Sequence, residues 1–422
     1  MVFLFLYYTS PYGSIPEIKR KRSKLKYLFS KNESELPALN GLRALSIFLV
    51  ILFHMGTGAS SILKTDNDII NTIAQNFRTG VDLFFMLSGF LIYGGLLDEN
   101  FKTSNIDLKT FYLKRTLRIM PAYYICLLIN FLQSKSIYKL YEKLPNPTLT
   151  QITAHETLGN SLTNSWADIL YISNYFHDRL FYFGWSLSIE EQFYLIVPSL
   201  CLLLLFKVKD NTRRVLVLIL FFLPLLLRTT YYFVGINRFW IDTHTETRFD
   251  AIVIGMLIAE LVRWRPSYFK NENQRTNLIL SIGFLISLSI SFLIKRSTGN
   301  LVFIFTSFQI AYSLLFILSL IEGSFWNKLL SLSIFRPVAR VSYTMYLWHG
   351  TLLSLSIYIL SKIFLNGKIG ILAFLCIGVY STLFVFILCI PIFYITERPF
   401  LALRDYLVKR MKKKKNETMV PN

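Results

Sequence analysis

The stretch from Leu39 to Gly56 reads LNGLRALSIFLVILFHMG. Its apolar content is that of a membrane-spanning helix, yet Arg43 stands near its start and His54 near its end. At about 1.5 Å rise and about 100° of turn per residue, the step from Arg43 to His54 covers roughly 16 Å and returns to nearly the same helix face. One face therefore presents a fixed cation at one depth and a titratable imidazole about three turns away. Charged groups at mid-bilayer cost roughly 2.5–3.5 kcal/mol on insertion scales, so they line a protein interior or a watery cavity. Snorkelling of Arg43 to the interface and a capping role for His54 explain the same pattern without chemistry. The rest of the chain bears on that choice.

Over 422 residues the composition is 53% hydrophobic and 16% aromatic, which places the chain among polytopic membrane proteins. The net charge of +20 sits in short basic tracts between apolar segments and at the two ends. That distribution orients a chain in a membrane and argues against nucleic-acid binding. Cys126, Cys201, Cys376 and Cys389 all lie in apolar segments without paired spacing, so neither a disulfide framework nor a metal site is expected. The N-terminal MVFLFLYY lacks a basic n-region and a small-residue cleavage pattern, and reads as a tail.

Outward from 39–56, apolar runs predict spans near 41–57, 80–97, 120–134, 189–206, 215–234, 250–264, 276–294, 301–321, 341–360 and 369–395. The expected architecture is an all-α polytopic bundle of about ten transmembrane helices. With an even number, both termini share a side, and most of the 45 Lys and Arg residues fall on that side, marking it cytoplasmic. Residues 135–188 form a long extracytoplasmic loop, rich in aromatic and hydroxyl groups, with room for short amphipathic or re-entrant pieces. This topology puts Arg43, Lys114, Arg115 and Arg118 near the cytoplasmic face. It puts His54, Asp82, Glu190, Glu191, Arg248 and Asp250 near the opposite one.

Each polar group has a bland reading beside a chemical one. Asp82, in the first turn of a helix, serves equally as a cap or as support for an active site. Ser88, Gly89, Gly94 and Gly95 read as helix-packing residues. Arg115 and Arg118, three apart on one helix face, suit phosphate oxygens, although topology and lipid headgroups explain them too. FGWSLSIEEQFYLIVP at 183–198 is the densest polar stretch. Its adjacent Glu190 and Glu191 stand near Trp185, Gln192 and Tyr194, and either acid is suited to orient His54 and stabilise an imidazolium. Arg228 is expected either to pair with a carboxylate or to line a cavity, Arg248 and Asp250 are placed to pair locally, and His349 is expected to make a structural hydrogen bond, with a proton-relay role as the alternative.

GLRA with a histidine eleven residues after its arginine, GVDLFFMLSGFLI, the RxxR pair at Arg115 and Arg118, WSLSIEEQFY and TETRFDAIVIGMLIA follow one another in this order. SYTMYLWH at 342–349 and TERPF at 396–400 extend the series. The chain thereby resembles the acyltransferase 3 family of bacterial inner-membrane O-acyltransferases over essentially residues 36–400, between basic cytoplasmic tails at 1–35 and 401–422. The resemblance implies a multi-pass inner-membrane enzyme with an acyl-CoA donor, acetyl by default, on the cytoplasmic side. It implies transfer to a saccharide or glycolipid hydroxyl outside, as in O-acetylation of a lipopolysaccharide O-antigen or another polysaccharide. Carried over by position, the key arginine and histidine are Arg43 and His54, the RxxR pair is Arg115 and Arg118, and the acidic motif includes Glu190 and Glu191. Asp82, Trp185, Tyr194, Arg248 and Asp250 are expected to support them. Many relatives append an extracytoplasmic SGNH hydrolase-like domain, whereas residues after 400 here read as a basic tail. The expectation is that the membrane unit transfers the acyl group itself or hands it on.

The expected mechanism is donor phosphates on Arg43, Arg115 and Arg118, with His54 as general base in a single displacement; no serine or cysteine with a paired base offers a covalent carrier. The rival from another class is a transporter or flippase for a lipid-linked saccharide, since buried charges also mark substrate pathways. Repeated halves with matching broken helices, which favour a transporter, are not visible in the sequence.

Overall fold

The computed structural model describes residues 24–31, 35–58, 68–270, 273–363 and 371–417. Residues 1–23, with MVFLFLYY and most of the first basic tract, lie outside the described residues, as do 418–422 of the C-terminal tail. Among the described residues every regular element is helical. Helices that overlap the expected spans are α1 (Pro37–Gly58), α2 (Gly80–Thr103), α3 (Leu108–Glu142), α4 (Trp185–Leu200), α5 (Asp210–Phe233), α6 (Asp250–Trp264), α7 (Gln274–Leu293), α8 (Thr298–Leu320), α9 (Phe335–Ile363) and α10 (Ile371–Thr396). Among the described residues, 7 helical segments are long and apolar enough to cross a membrane, and they contain α1, α2, α4, α5, α7, α8 and α10. α3, α6 and α9 are shorter or less apolar. The chain is a multi-pass helical membrane protein.

Burial sorts the helices into a centre and a rim. In α1 the side chains of Leu42, Ile47, Ile51 and Met55 are fully enclosed, one on each successive turn. Its apolar window is 72% buried, against 11% for α7. α7 instead exposes Leu278, Ile279, Ile282, Leu285, Ile286 and Ile290, and α5 exposes Leu218, Ile219, Phe222 and Leu226. Rows of exposed large apolar side chains suit hydrocarbon, and they place α5 and α7 against lipid. α1 and α2 thus form the centre of the bundle.

α2 and α6 cross at backbone distance because each supplies a glycine. A Cβ on Gly89 would lie 1.9 Å from the Ile252 carbonyl oxygen, and one on Gly255 would lie 2.1 Å from that of Met86. Small residues allow such approach in a bilayer, where dispersion replaces the hydrophobic effect between helices. Gly89 therefore packs as expected, whereas a Cβ on Gly95 would meet nothing within 4 Å. At the ends nearest residues 210 and 260, Arg213 donates to Glu260 through Nε at 2.6 Å and Nη2 at 3.1 Å, and Tyr93 donates to the same carboxylate at 2.5 Å. This bidentate pair fastens α5, α6 and α2 together.

α3 begins at Asp107, whose side chain accepts from the Thr110 backbone N–H at 3.0 Å. Its 35 residues correspond to roughly 52 Å, longer than the hydrocarbon core, so it projects beyond the span expected at 120–134. The loop expected at 135–188 is largely helical. It holds the end of α3 and a helix at Leu149–Thr163, opened by a capping box of Thr148 and Gln151. The Tyr138 and His155 rings stack at 4.1 Å between the two.

Gly89→Ala and Gly255→Ala are expected to destabilise the protein by about 1–3 kcal/mol through overpacking at this crossing. Gly95→Ala is expected to leave stability nearly unchanged. Thermal denaturation of the three variants in one detergent compares them directly.

Candidate functional site

Arg43 on α1 and the α3 pair Arg115 and Arg118 line one cavity of about 310 Å³. The facing wall is the stripe of α4 that carries Ser186, Glu190 and Tyr194, spaced four apart on one helix face. Among the described residues none of the three guanidiniums has a carboxylate within ion-pair distance. Arg115 lies over the rings of Tyr194 at 5.5 Å and Phe111 at 6.0 Å, and its Nε is buried without a hydrogen bond. Three cations lining one cavity, none in ion-pair contact with a carboxylate among the described residues, are suited to an anion. A second cavity, of about 330 Å³, shares Arg43, Leu91 and Arg118 with the first and continues to Glu35, Arg340, Glu397 and Arg404.

The other end of the first cavity reaches Val81 and Tyr346, which also line a small cavity of about 20 Å³ around His54. Tyr346 stands between the two, its hydroxyl hydrogen-bonded to Ser186 Oγ and donating to the Phe183 carbonyl oxygen at 3.2 Å. The imidazole of His54 meets Phe183 edge-on at 4.4 Å, Phe53 at 4.7 Å and His349 at 4.9 Å between ring centroids. His349 Nδ1 donates to the Tyr346 carbonyl oxygen at 2.6 Å. Since a carbonyl only accepts, Nδ1 carries the hydrogen, and Nε2 of neutral His349 has a free lone pair. That Nε2 is buried without a partner. Arg78, Arg179, Tyr182 and Trp185 complete the small cavity.

The structure thus brings Arg43, Arg115 and Arg118 together and places His54 beyond Tyr346 from them. It does not bring the acidic pair to His54. Glu190 accepts hydrogen bonds from Ser88 Oγ and Tyr194 OH on the wall of the arginine cavity. Glu191 Oε1 is buried without a hydrogen bond. Among the described residues no carboxylate bonds to the His54 ring. The expectation that Glu190 or Glu191 orients His54 is corrected by helix geometry. α4 starts at Trp185 beside His54, and five residues at about 1.5 Å each carry Glu190 some 7 Å inward, on the face turned to α2 and α3. Ser88, expected as a packing residue, is a hydrogen-bond donor to this site.

Asp82, Arg248, Asp250 and Arg228 form two buried ion pairs, though not the local one expected. Arg248 Nη2 meets Asp82 Oδ1 at 2.9 Å, and Arg228 Nη1 meets Asp250 Oδ2 at 2.7 Å. Arg228 also donates to the Thr247 carbonyl oxygen at 2.6 Å and to Thr306 Oγ1 at 3.1 Å. Beside them Asp242 takes Arg296 at 3.0 Å, Arg78 at 3.2 Å and Arg238 at 3.9 Å. Burial works to raise the Asp242 pKa, but the surrounding guanidiniums, Arg78 foremost, hold it below the usual carboxylate value. The ring of Trp185 lies 5.2 Å from the Arg78 guanidinium and 5.8 Å from that of Arg248. Gln192 donates to the Tyr171 carbonyl oxygen at 2.8 Å, anchoring the preceding loop.

Sequence reasoning missed Arg78, Arg179, Tyr182 and Tyr346. Arg78 and Arg179 flank helices and read as ordinary interfacial cations; only their convergence on His54 distinguishes them.

A family model described as an acyltransferase domain matches residues 36–390. The chain is 25% identical over 362 residues to O-acetyltransferase OatA of Staphylococcus aureus (strain NCTC 8325 / PS 47), covering 81% of this chain and 53% of that protein. It is 28% identical over 338 residues to a candidate O-acetyltransferase, SACOL0978, of S. aureus strain COL, covering 76% and 51% respectively. The chain spans about half the length of these curated relatives. No solved structure matches.

Asp250→Leu strands the enclosed Arg228 guanidinium and is expected to cost about 3–5 kcal/mol, whereas the double variant Arg228→Met, Asp250→Leu recovers most of that loss. Thermal denaturation in detergent distinguishes the two outcomes.

Proposed function

The chain belongs to the acyltransferase 3 family, and from that premise we propose that it is a membrane O-acyltransferase moving an acetyl group from acetyl-CoA to a saccharide hydroxyl. The reading takes all ten of the expected helices as spans, both termini as cytoplasmic, and the bacterial inner membrane as the location. The observation that carries it is the unpaired trio Arg43, Arg115 and Arg118 on a cavity that leads, through Tyr346, to His54.

In this reading the cavity at Arg340 and Arg404 is the cytoplasmic mouth, and the arginine trio holds donor phosphates at its inner end. The narrow remainder admits only a thin chain, which suits the pantetheine arm and brings the thioester toward Tyr346. His54 takes the proton of an acceptor hydroxyl as the oxygen forms its bond to the acyl carbon and the C–S bond breaks. The proton then passes to the departing thiolate. His349 replaces the expected acid: its ring lies 4.9 Å from that of His54, and its Nε2 is free to accept a proton. Glu190 positions Tyr194 and Ser88 on the donor wall and plays no part in proton transfer at His54. The acceptor is a cell-surface or lipid-linked saccharide, in keeping with the O-acetyltransferase names of the relatives.

Purified protein incubated with radiolabelled acetyl-CoA and candidate glycans tests this directly. Label that leaves CoA for a glycan supports the reading, and label that stays on CoA favours a transporter. His54→Ala is expected to lower transfer by about 10²–10⁴-fold with acetyl-CoA affinity unchanged. Arg115→Met and Arg118→Met are expected to raise the Kd for acetyl-CoA about tenfold and to flatten its salt dependence. Unchanged salt dependence in both would remove the phosphate assignment.

A further inference from the structure

The small cavity around His54 carries a charge imbalance that the acyl-transfer reading does not use. Arg78 and Arg179 both line it, with the aromatic rings of Phe53, Tyr182 and Trp185. The carboxylates within ion-pair reach of the neighbouring guanidiniums are already committed. Asp82 serves Arg248, Asp250 serves Arg228, and Asp242 is divided among Arg78, Arg296 and Arg238. Arg179 has no carboxylate within ion-pair distance among the described residues. It is 8% exposed, and its Nε and Nη1 donate to the carbonyl oxygens of Tyr182 at 3.1 Å, Phe176 at 3.2 Å and Ser173 at 3.3 Å. The guanidinium also lies over the Tyr182 and Phe239 rings at 5.6 and 5.5 Å. Burial lowers its pKa to about 10, so it stays cationic at neutral pH. On the same loop Asp168 spends Oδ2 on the backbone N–H groups of Leu180 and Phe181, at 3.0 and 3.5 Å, and Asp178 is taken up by His177 at 2.9 Å and Asn160 at 3.0 Å.

Geometry assigns these charges to the acceptor side. Arg179 and Tyr182 belong to the loop that precedes α4, at the end of the bundle away from Arg43, and Tyr182 is 62% exposed at the rim. A cavity of about 20 Å³ is large enough for a hydroxyl-sized group and little more. A bound acceptor therefore inserts its reacting hydroxyl and leaves the rest of its ring at the rim, over aromatic faces and beside two guanidiniums. Neutral sugars need only the rings and hydrogen bonds. Arg179, without a carboxylate in ion-pair contact among the described residues, and Arg78, which shares the single carboxylate of Asp242 with Arg296 and Arg238, are suited to anionic oxygens.

We propose that the outer subsite formed by Arg78 and Arg179 recognises an acidic saccharide, one with a carboxylate or phosphate close to the hydroxyl that is acylated. The proposal rests on the acyl-transfer reading only for the name of the ligand; the binding itself requires no turnover.

The test is therefore binding to detergent-solubilised protein without donor, by isothermal titration. The probes are methyl glucuronide against methyl glucoside for the carboxylate source, and glucose 1-phosphate against the same glucoside for the phosphate source. At least one charged probe is expected to bind about tenfold more tightly than its neutral partner. Arg179→Gln is expected to abolish that preference, and Arg179→Lys, which keeps the charge, to retain most of it. The arm that shows the preference names the source. Equal affinity of charged and neutral probes, or a preference that survives Arg179→Gln and disappears instead in Arg115→Met, overturns the proposal. Because the titration contains no acetyl-CoA, a failure of acyl transfer in the radiolabel assay counts against the proposed function and leaves this result standing.

Discussion

A guanidinium inside a membrane protein must end on an anion, on carbonyl oxygens or in a wet cavity, and this constraint organises the whole bundle. The two ends of the protein meet it differently. Around Asp82, Asp242 and Asp250 the arginines are paired, and the pairs tie the start of α2 to the segment before α6 and to α5. At Arg43, Arg115 and Arg118 the cations are left without partners beside open space. Paired charge makes scaffold, and unpaired charge makes a site. The same residue type thus does structural work at one level and binding work at another.

The route between the ends depends on how closely the helices approach. Gly89 and Gly255 let α2 and α6 touch at their backbones, and this fixes the rotation of α2 that turns Ser88 toward Glu190. α4, starting beside His54 and running inward, lays Ser186, Glu190 and Tyr194 along the same passage. Tyr346 closes it where Ser186 and the Phe183 carbonyl meet its hydroxyl. Two chambers joined at a single side chain are a sensible arrangement for chemistry between a donor on one side of a membrane and an acceptor on the other.

Among the described residues His54 stands beside His349, 4.9 Å between ring centroids, and not beside an acid. A histidine beside an acid is held and stabilised as an imidazolium, whereas His54 stands among the rings of Phe53, Phe183 and His349. Glu190 lines the arginine cavity, where its carboxyl group moderates the charge of the guanidiniums, whereas Glu191 does not line it.

Much of this was legible in the chain itself. Apolar runs of bilayer length gave the helices, and the eleven-residue step in 39–56 gave a cation and an imidazole on one face of the central one, because the helical period is a local property of the backbone. The three-residue step from Arg115 to Arg118 and the ordered motifs from GLRA to TERPF were readable for the same reason. The pairing of charges was not. Arg248 and Asp250 stand two apart and looked like partners, yet each found an opposite charge on another helix, Asp82 on α2 and Arg228 on α5. Glu190 looked like the partner of His54 and faces Ser88 and Tyr194 instead. Arg78 and Arg179 carried no local signal, and Tyr346, though inside SYTMYLWH, was not singled out within it. Which side chains meet across helices is decided by crossing angle, axial rotation and the depth at which each helix starts. Those quantities are set by packing among all the helices, and spacing along one of them does not encode it.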